Sequence, residues 1–492
     1  MATTVLTGAD RKLPLFGIPI LAILGFVIGY YVDAISTKTL MFVIIGGMGF
    51  SVLLLPYEWA IRLLFVYLGI EGMAKLLTNY NPVVHVGSDL LIMALTGRWF
   101  ITFMVSRAEL PADRLPLIGL FGAHFAWFLI EFCNPYGIGL IPSLAAAKMY
   151  IDPVLLFAYG YYLTRSLKDA HWFMAPWVFT VFLQIVTGLY QAYIGPSSVT
   201  GLHPQYIRAL KLIDGPFRPF GTTHLPGVPA IFIYMTMPFL VYFVARTKSN
   251  VIRLLMIAMI PSAIFLMILC QVRSAMIKAT IGVALFLLLG FRGAPLHIRR
   301  RIMLAVPVLA LVLVTAIPYL TARWSKESSD TDKAVQRSLT ILDYNKVSSA
   351  RGGAMGRFTD LVATVPFGAG LSRAGAAANA FQDQIAVNPF YSHSFFADNF
   401  WIAVMSEMGL PGLLIMDALV LGILIRGFLV ISRLSNQDLA PLPAAIFAAL
   451  ASIVAGFPGA EGLLYNPEAP FFWFFAGLLL AFPRLDMTQR SG

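Results

Sequence analysis

Apolar residues run in blocks as long as a bilayer is thick along nearly the whole chain, with short polar connections between them. A membrane-crossing helix needs about 20 residues. On that measure the blocks predict helices near 15–32, 39–56, 58–78, 88–106, 115–133, 144–163, 172–194, 228–245, 251–271, 274–292, 302–320, 399–426, 440–458 and 467–484. The pattern predicts an all-α, polytopic integral membrane protein with about 12–14 transmembrane helices. Two blocks are interrupted, one by Glu71 and Lys75 and the other by Pro153. The longest polar stretch, 321–398, is predicted to be a large loop folded over one membrane face. No fixed-period repeat, low-complexity tract or linker divides the chain, so residues 1–492 read as a single transmembrane domain.

Composition excludes a soluble globule. Of 492 residues, 59% are hydrophobic and only 12% charged, and the mean hydropathy is +0.79, which leaves too little polar surface to cover a water-soluble chain of this size. Tyr30, Tyr31, Trp99, Trp172, Trp177 and Trp401 fall near predicted span ends, as interfacial anchors do. Cys133 and Cys270 lie in or at the end of apolar runs, so they are expected to be small buried hydrophobes and not a disulfide or metal pair. Arg11 and Lys12 precede the first block with no small-residue cleavage pattern after it, which predicts an uncleaved first helix.

The short loops predict the orientation. Arg107 with Arg114, Arg165 with Lys168, Arg246 with Lys248, Arg292 with Arg299–Arg301, and Arg426 with Arg433 all fall on one side of the predicted bundle, the cytoplasmic side by the positive-inside bias. Much of the net charge of +11 is explained by this topology, so it does not point to nucleic acid. The opposite, extracytoplasmic side receives the loop at 195–227, the turn at Gln271–Arg273 and the 321–398 insert. Arg218, Arg273, Arg351, Arg373, His393 and Asp398 therefore share one face. An arginine at such depth usually snorkels or pairs with a carboxylate. Several that converge with few acids nearby are suited instead to a phosphate, which the guanidinium grips with two parallel hydrogen bonds.

Four short blocks then resemble the O-antigen polymerase and O-antigen ligase superfamily. The run Arg218-Pro219-Phe220-Gly221-Thr222-Thr223-His224-Leu225-Pro226-Gly227 is similar to that family's R-x-x-G-T-F-x-N-P-N before a middle span, and Gln271-Val272-Arg273-Ser274-Ala275 to its S-R-G-A turn. Arg351 stands fifteen residues before Pro366-Phe367-Gly368-Ala369-Gly370, as the family's loop arginine stands before its P-x-x-G-x-G. Asp398-Asn399-Phe400-Trp401, with Glu407-Met408-Gly409-Leu410-Pro411-Gly412-Leu413 after it, resembles the H-N-x-Y-L and E-x-G-L-x-G-L block that opens the helix behind the large loop. The blocks keep their order across 218–413. The chain departs from the family in carrying Asp398 where many ligases have histidine, with His393 five residues earlier, and Leu225-Pro226-Gly227 in place of a second asparagine-proline motif.

The resemblance implies a metal-independent, inverting glycosyltransferase that needs no cofactor. Its donor would be an oligosaccharide on undecaprenyl diphosphate, presented at the periplasmic face of a bacterial inner membrane. Joining repeat units as a polysaccharide polymerase is the expected activity, and transfer of a finished glycan to lipid A core or protein, as a ligase, is the alternative. A flippase and a chain-length regulator of the same pathway would be partner proteins. A transporter or lipid flippase is disfavoured by the absence of inverted repeats and broken-helix pairs in the sequence.

Elementary chemistry makes the same demands. Displacing a lipid diphosphate from an anomeric carbon builds negative charge that arginines would neutralise, and the acceptor hydroxyl needs a proton acceptor. The expected diphosphate ligands are Arg218, Arg273, Arg351 and Arg373. Asp398 or His393 is the expected base, with Arg351 beside it, while Asn399 and Glu407 support the loop and helix. Asp398 could equally cap the helix that follows, and His393 could be structural. Glu71, Arg98, His124 and Glu131 are functional candidates because they are ionisable groups in or near early spans. Gly352, Gly353, Gly356, Gly368 and Gly370 are expected to permit tight turns, since no P-loop sequel follows them. Arg323, Lys326, Lys333, Arg337 and Lys346 alternate with Glu327, Asp330, Asp332 and Asp343, as a solvated face does.

The orientation has a direct test. A cysteine at Ser328 in a cysteine-free background should react with a membrane-impermeant maleimide in intact spheroplasts. Labelling that requires lysis would reverse the assignment.

Overall fold

The computed structural model describes Gly47 and residues 51–52, 54–78, 84, 87–106, 115–195, 198, 217–292, 356–374, 378, 381–388, 399–434, 439–460 and 462–490. These form an all-helical assembly of α1 (Tyr57–Leu77), α2 (Gly87–Ser106), α3 (Ile118–Phe132), α4 (Leu140–Tyr150), α5 (Asp152–Leu163), α6 (Leu167–Ile194), α7 (Val228–Arg246), α8 (Asn250–Cys270), α9 (Arg273–Gly290), the short α10 (Gln382–Ala386), α11 (Phe400–Arg433), α12 (Pro441–Val454) and α13 (Glu468–Arg490). Seven segments among the described residues are long and apolar enough to cross a bilayer, and Ile118–Phe132 and Ser274–Gly290 are shorter apolar helices. The chain is a multi-pass membrane protein. The expected spans at 15–32 and 302–320, and most of 39–56 and of the insert at 321–398, lie outside the described residues.

Both interrupted blocks have a physical explanation. In α1, Glu71 and Lys75 form an i,i+4 pair at 3.2 Å, and the Ser88 hydroxyl donates to Glu71 at 2.7 Å, so the charges are satisfied and the helix continues. The block at 144–163 is two helices, because Pro153 stands in the first turn of α5 and the chain breaks at Ile151. The α8–α9 turn is as tight as its sequence implied. Gln271 adopts a left-handed φ of 56°, and after the single residue Val272 α9 begins at Arg273. Ser166 opens α6 by accepting the Asp169 amide while its hydroxyl donates to the Asp169 carboxylate at 2.8 Å, a reciprocal cap.

The remaining early ionisable groups hold local structure. Arg98 donates to the carbonyls of Val52 (2.9 Å) and Leu55 (2.5 Å) and lies over the Tyr57 ring. His124 meets the Tyr150 carbonyl at 2.8 Å, and Asn134 donates to Glu131 at 2.7 Å. Both cysteines are free thiols, but only Cys270 is buried. Cys133, expected inside, is exposed, because it falls just past the last turn of α3.

α13 runs through the centre, with 89% of its apolar window buried. It approaches α5 backbone to backbone: a Cβ at Gly160 would strike the Phe474 carbonyl, and one at Gly477 the Phe157 carbonyl. Such small-residue contacts drive helix association in a medium that offers no hydrophobic force between helices. Around this seam Phe65 meets Phe474 at 4.8 Å, Trp177 meets Phe471 at 4.8 Å and Phe239 meets Phe475 at 5.1 Å.

Successive connections alternate between the two ends of the bundle. Among the described residues, 133–139, 217–227, 271–272, 366–374, Asn399, 455–460 and 462–467 gather at one, the loop end. There Gly227 abuts Val272, Gly370 abuts Gly137, Asn399 donates to the Pro458 carbonyl and Asn466 donates to Ser88. The other, basic end carries 164–166, 247–249, Leu434 and 439–440, with Arg165, Lys168, Arg246, Lys248, Arg253, Arg426, Arg433 and Arg484.

Overpacking the central seam should cost about 1–3 kcal/mol. Gly160→Val or Gly477→Val should lower the melting temperature of the detergent-purified protein, while Gly97→Ala, whose new methyl meets nothing within 4 Å, should leave it unchanged. Parental melting of both valine variants would refute this packing.

Candidate functional site

Two non-helical segments enter the helical bundle at the loop end, and each carries an arginine from the motifs above. The first is 217–227. Gln184 and Gln191, seven residues apart and thus on one face of α6, reach into it. The Gln191 carbonyl oxygen accepts the amides of Phe220 (2.8 Å) and Gly221 (2.9 Å), while its own amide donates to the Gly221 carbonyl at 2.9 Å. Gln184 accepts the Thr222 amide at 2.9 Å and donates to the Thr222 hydroxyl at 2.6 Å and the Gly69 carbonyl at 3.1 Å.

Thr222 also couples the loop to α1. Its hydroxyl donates to the Gly69 carbonyl at 2.5 Å, and its carbonyl accepts the Met73 amide at 2.8 Å. Gly69 and Met73 are the acceptor and donor that an α-helix would pair with each other, so one loop residue engages both. Gly72 lies against the Thr223 and His224 backbone, with no room for a Cβ. The far side of the loop rests on the α8–α9 turn, where Gly227 packs on Val272 and the Cys270 thiol faces the Pro219 carbonyl at 3.8 Å. Arg218 thus enters a loop braced on the turn from which Arg273 starts α9.

The second segment is 366–374. It packs into a break in α11, where Gly409 leaves helical geometry at φ 64° and ψ −172°. The Leu410 amide donates to the Pro366 carbonyl at 2.8 Å, and the Ala369 amide to the Ser406 carbonyl at 2.7 Å. Gly368 and Gly370, at φ 89° and 92°, permit the close approach, since a Cβ on either would meet the backbone of Glu407–Gly409 or of Tyr136–Gly137. The buried Glu407 carboxylate accepts the Ala374 amide at 2.7 Å. Arg373 is 0% exposed and donates to the Tyr136 carbonyl at 2.6 Å.

Asn399 is the N-cap of α11. Its side chain accepts the Ile402 amide at 3.1 Å and donates to the Pro458 carbonyl at 3.2 Å. The capping position is therefore not Asp398. Arg351, His393 and Asp398 lie outside the described residues, and of Arg273 only the backbone is described. The structure brings the Arg218 loop to the start of α9, and Arg373 to Glu407, as separate groupings.

A third cluster escaped the sequence reading. Lys278 of α9 donates to Glu468 of α13 at 2.9 Å and to the Tyr234 hydroxyl of α7 at 3.3 Å, and Tyr234 also bonds Glu468. All three are buried, with exposures of 3%, 3% and 0%. Gly456 closes over the lysine stem. The signal was present in one form, a lysine and a glutamate each inside an apolar block, but their pairing spans 190 residues. Elsewhere, Lys148 of α4 pairs with Asp89 of α2 at 2.8 Å. Among the described residues no three His, Cys, Asp or Glu side chains are grouped to hold a metal ion. No protein-family model matches the chain, and no curated protein matches it.

The glutamine clamp makes a measurable demand. Gln191→Leu keeps the volume but strips two buried amides of their acceptor, each worth about 1–3 kcal/mol. The variant should melt lower, and amide hydrogen exchange should accelerate at Phe220 and Gly221. Parental exchange at both amides would show that Gln191 does not hold the loop.

Proposed function

We propose that this protein is a membrane glycosyltransferase that polymerises polysaccharide repeat units carried on undecaprenyl diphosphate, working at its loop end on the periplasmic side of a bacterial inner membrane. The observation that carries the proposal is the bracing of the Arg218 loop against the α8–α9 turn that opens with Arg273. It supplies two guanidinium-bearing segments, held by buried hydrogen bonds, at the end opposite the basic one. The sequence resemblance supplies the substrate class.

In this proposal Arg218, Arg273 and Arg351 grip the donor diphosphate. The acceptor hydroxyl attacks the anomeric carbon from the side opposite the diphosphate, and its proton passes to Asp398 or His393. The bond from anomeric carbon to phosphate oxygen breaks, the lipid diphosphate leaves with the electron pair, and the arginines neutralise the charge it takes away. Arg373, buried and bonded to the Tyr136 carbonyl, positions this machinery through Glu407 and segment 366–374.

The glycan profile of a deletion strain tests the function. Unpolymerised single repeats would support a polymerase. Finished polymer left on its lipid would support the ligase reading, and a parental profile would overturn both. In complementation, Arg273→Lys and Arg351→Lys should each lose most polymer at parental protein level, because lysine keeps the charge but not the two-pronged geometry. Asp398→Asn should slow turnover by about 10²–10⁴-fold if Asp398 is the base. Parental turnover of that variant would pass the role to His393.

A further inference from the structure

A cavity of about 580 Å³ lies at the basic end, between the C-terminal parts of α11 and α13. Arg426 and Arg433 of α11 stand seven residues apart, on one face of the helix about 10 Å from each other along its axis, and both line the cavity. Arg484 of α13 forms the facing wall, with its guanidinium 4.0 Å from the centre of the Tyr161 ring and bonded to the Tyr161 carbonyl. Among the described lining residues Asp486 is the one acid. Three arginines against one aspartate give the cleft a formal excess of positive charge, and Leu429 and Leu480 give it an apolar floor.

We infer that this cleft is a binding site for the phosphate headgroup of an anionic membrane phospholipid, with the adjoining acyl chain against Leu429 and Leu480. Three features select that ligand. The cations are arginines, whose planar forks suit phosphate oxygens. They border an apolar wall, which a soluble anion does not need and an acyl chain does. The cleft also sits at the bundle end where basic residues accumulate, the end that faces the anionic leaflet under the positive-inside bias. Arginines that merely snorkel spread outward from their helix singly. Here two helices direct three of them at one cavity, and the ring and carbonyl of Tyr161 hold one of the three in place. The site is separate from the loop-end chemistry and does not depend on the function proposed above.

Native mass spectrometry of the intact protein, released from detergent with added lipid, tests the inference. The probes are phosphatidylglycerol, phosphatidylethanolamine with the same acyl chains, and inorganic phosphate. Phosphatidylglycerol should bind the parent in preference to phosphatidylethanolamine, and inorganic phosphate should not displace it. Each cation near an anionic headgroup contributes about fivefold, so Arg426→Gln with Arg433→Gln should weaken phosphatidylglycerol binding by about 25-fold. Both residues are exposed, so the fold should survive, and Arg426→Lys with Arg433→Lys, which keeps the charge, should retain more lipid than the glutamine pair. Lys248→Gln with Arg292→Gln, the same loss of charge elsewhere on this end, should bind as the parent does. Parental lipid binding by the glutamine pair, equal loss in the control pair, or equal binding of phosphatidylethanolamine would overturn the inference. Displacement by inorganic phosphate would reduce the cleft to a small-anion site and overturn it as well.

Discussion

A backbone amide inside an apolar bundle has no water to turn to, so any chain that leaves helical geometry there must find its partners in protein. The loop end of this structure is arranged around that constraint. Residues 220–222 meet it through the side chains of Gln184 and Gln191, and 366–374 through the opened backbone of α11 and the carboxylate of Glu407. The two solutions differ in kind. Side-chain amides offer a donor and an acceptor together, so two glutamines on one face of α6 stand in for a missing strand. The break at Gly409 instead exposes main-chain groups of α11 to a neighbouring main chain, which requires glycine at Gly368, Gly370 and Gly409 for the two to come close enough.

Charge is handled differently at the two ends. The three ion pairs among the described residues, Glu71 with Lys75, Asp89 with Lys148 and Glu468 with Lys278, all lie toward the loop end. A buried ion costs several kcal/mol unless it is paired and hydrogen-bonded, and the pairs join α1, α2, α4, α7, α9 and α13 where the irregular segments enter. At the basic end Arg253 and Arg484 bond carbonyls, and Arg62 lies over Trp59 and Trp172. Carbonyls and rings stabilise a cation without cancelling its charge. The described arginines of the basic end thus keep their charge, whereas at the loop end helix-borne lysines are paired with carboxylates.

Hydropathy made the long helices legible. The apolar blocks at 228–245 and 251–271 match α7 and α8 to within a residue at each end, because burying a span in lipid requires a continuous apolar surface. Hydropathy alone does not locate the break at Ile151, but Pro153, two residues on, marked the block as interrupted. Of the two roles the sequence left open for Asp398, the cap belongs to Asn399, a residue with similar capping chemistry. Gln184, Gln191, Lys278 and Glu468 could be seen in the sequence but not paired. Each is a single polar residue in an apolar run, and its meaning lies in a partner 29 to 190 residues away. The motif blocks around Arg218 and Arg273 were legible as sequence, but their meeting at the α8–α9 turn depends on contacts that no local pattern encodes.

The anchoring of Asn399 bears on the choice of base. Asn399 is tied to Ile402 within its own helix and to Pro458 across the connection, and the next residue, Phe400, stacks on Phe457 with ring centres 4.1 Å apart. Glu407, two turns along, is fixed in turn by Ala374. The first part of α11 is therefore a short half-helix pinned at both ends. Consecutive Cα atoms are about 3.8 Å apart, so Asp398 is bound to start next to that anchor. His393 stands six residues from Asn399, a tether that reaches about 20 Å when extended. Proton transfer needs heavy atoms held at about 2.6–3.2 Å, a tolerance that a side chain one residue from a double anchor meets with less further ordering than one six residues away. Under the proposed function this constraint favours Asp398, and it assigns Asn399 the part of fixing where that carboxylate begins.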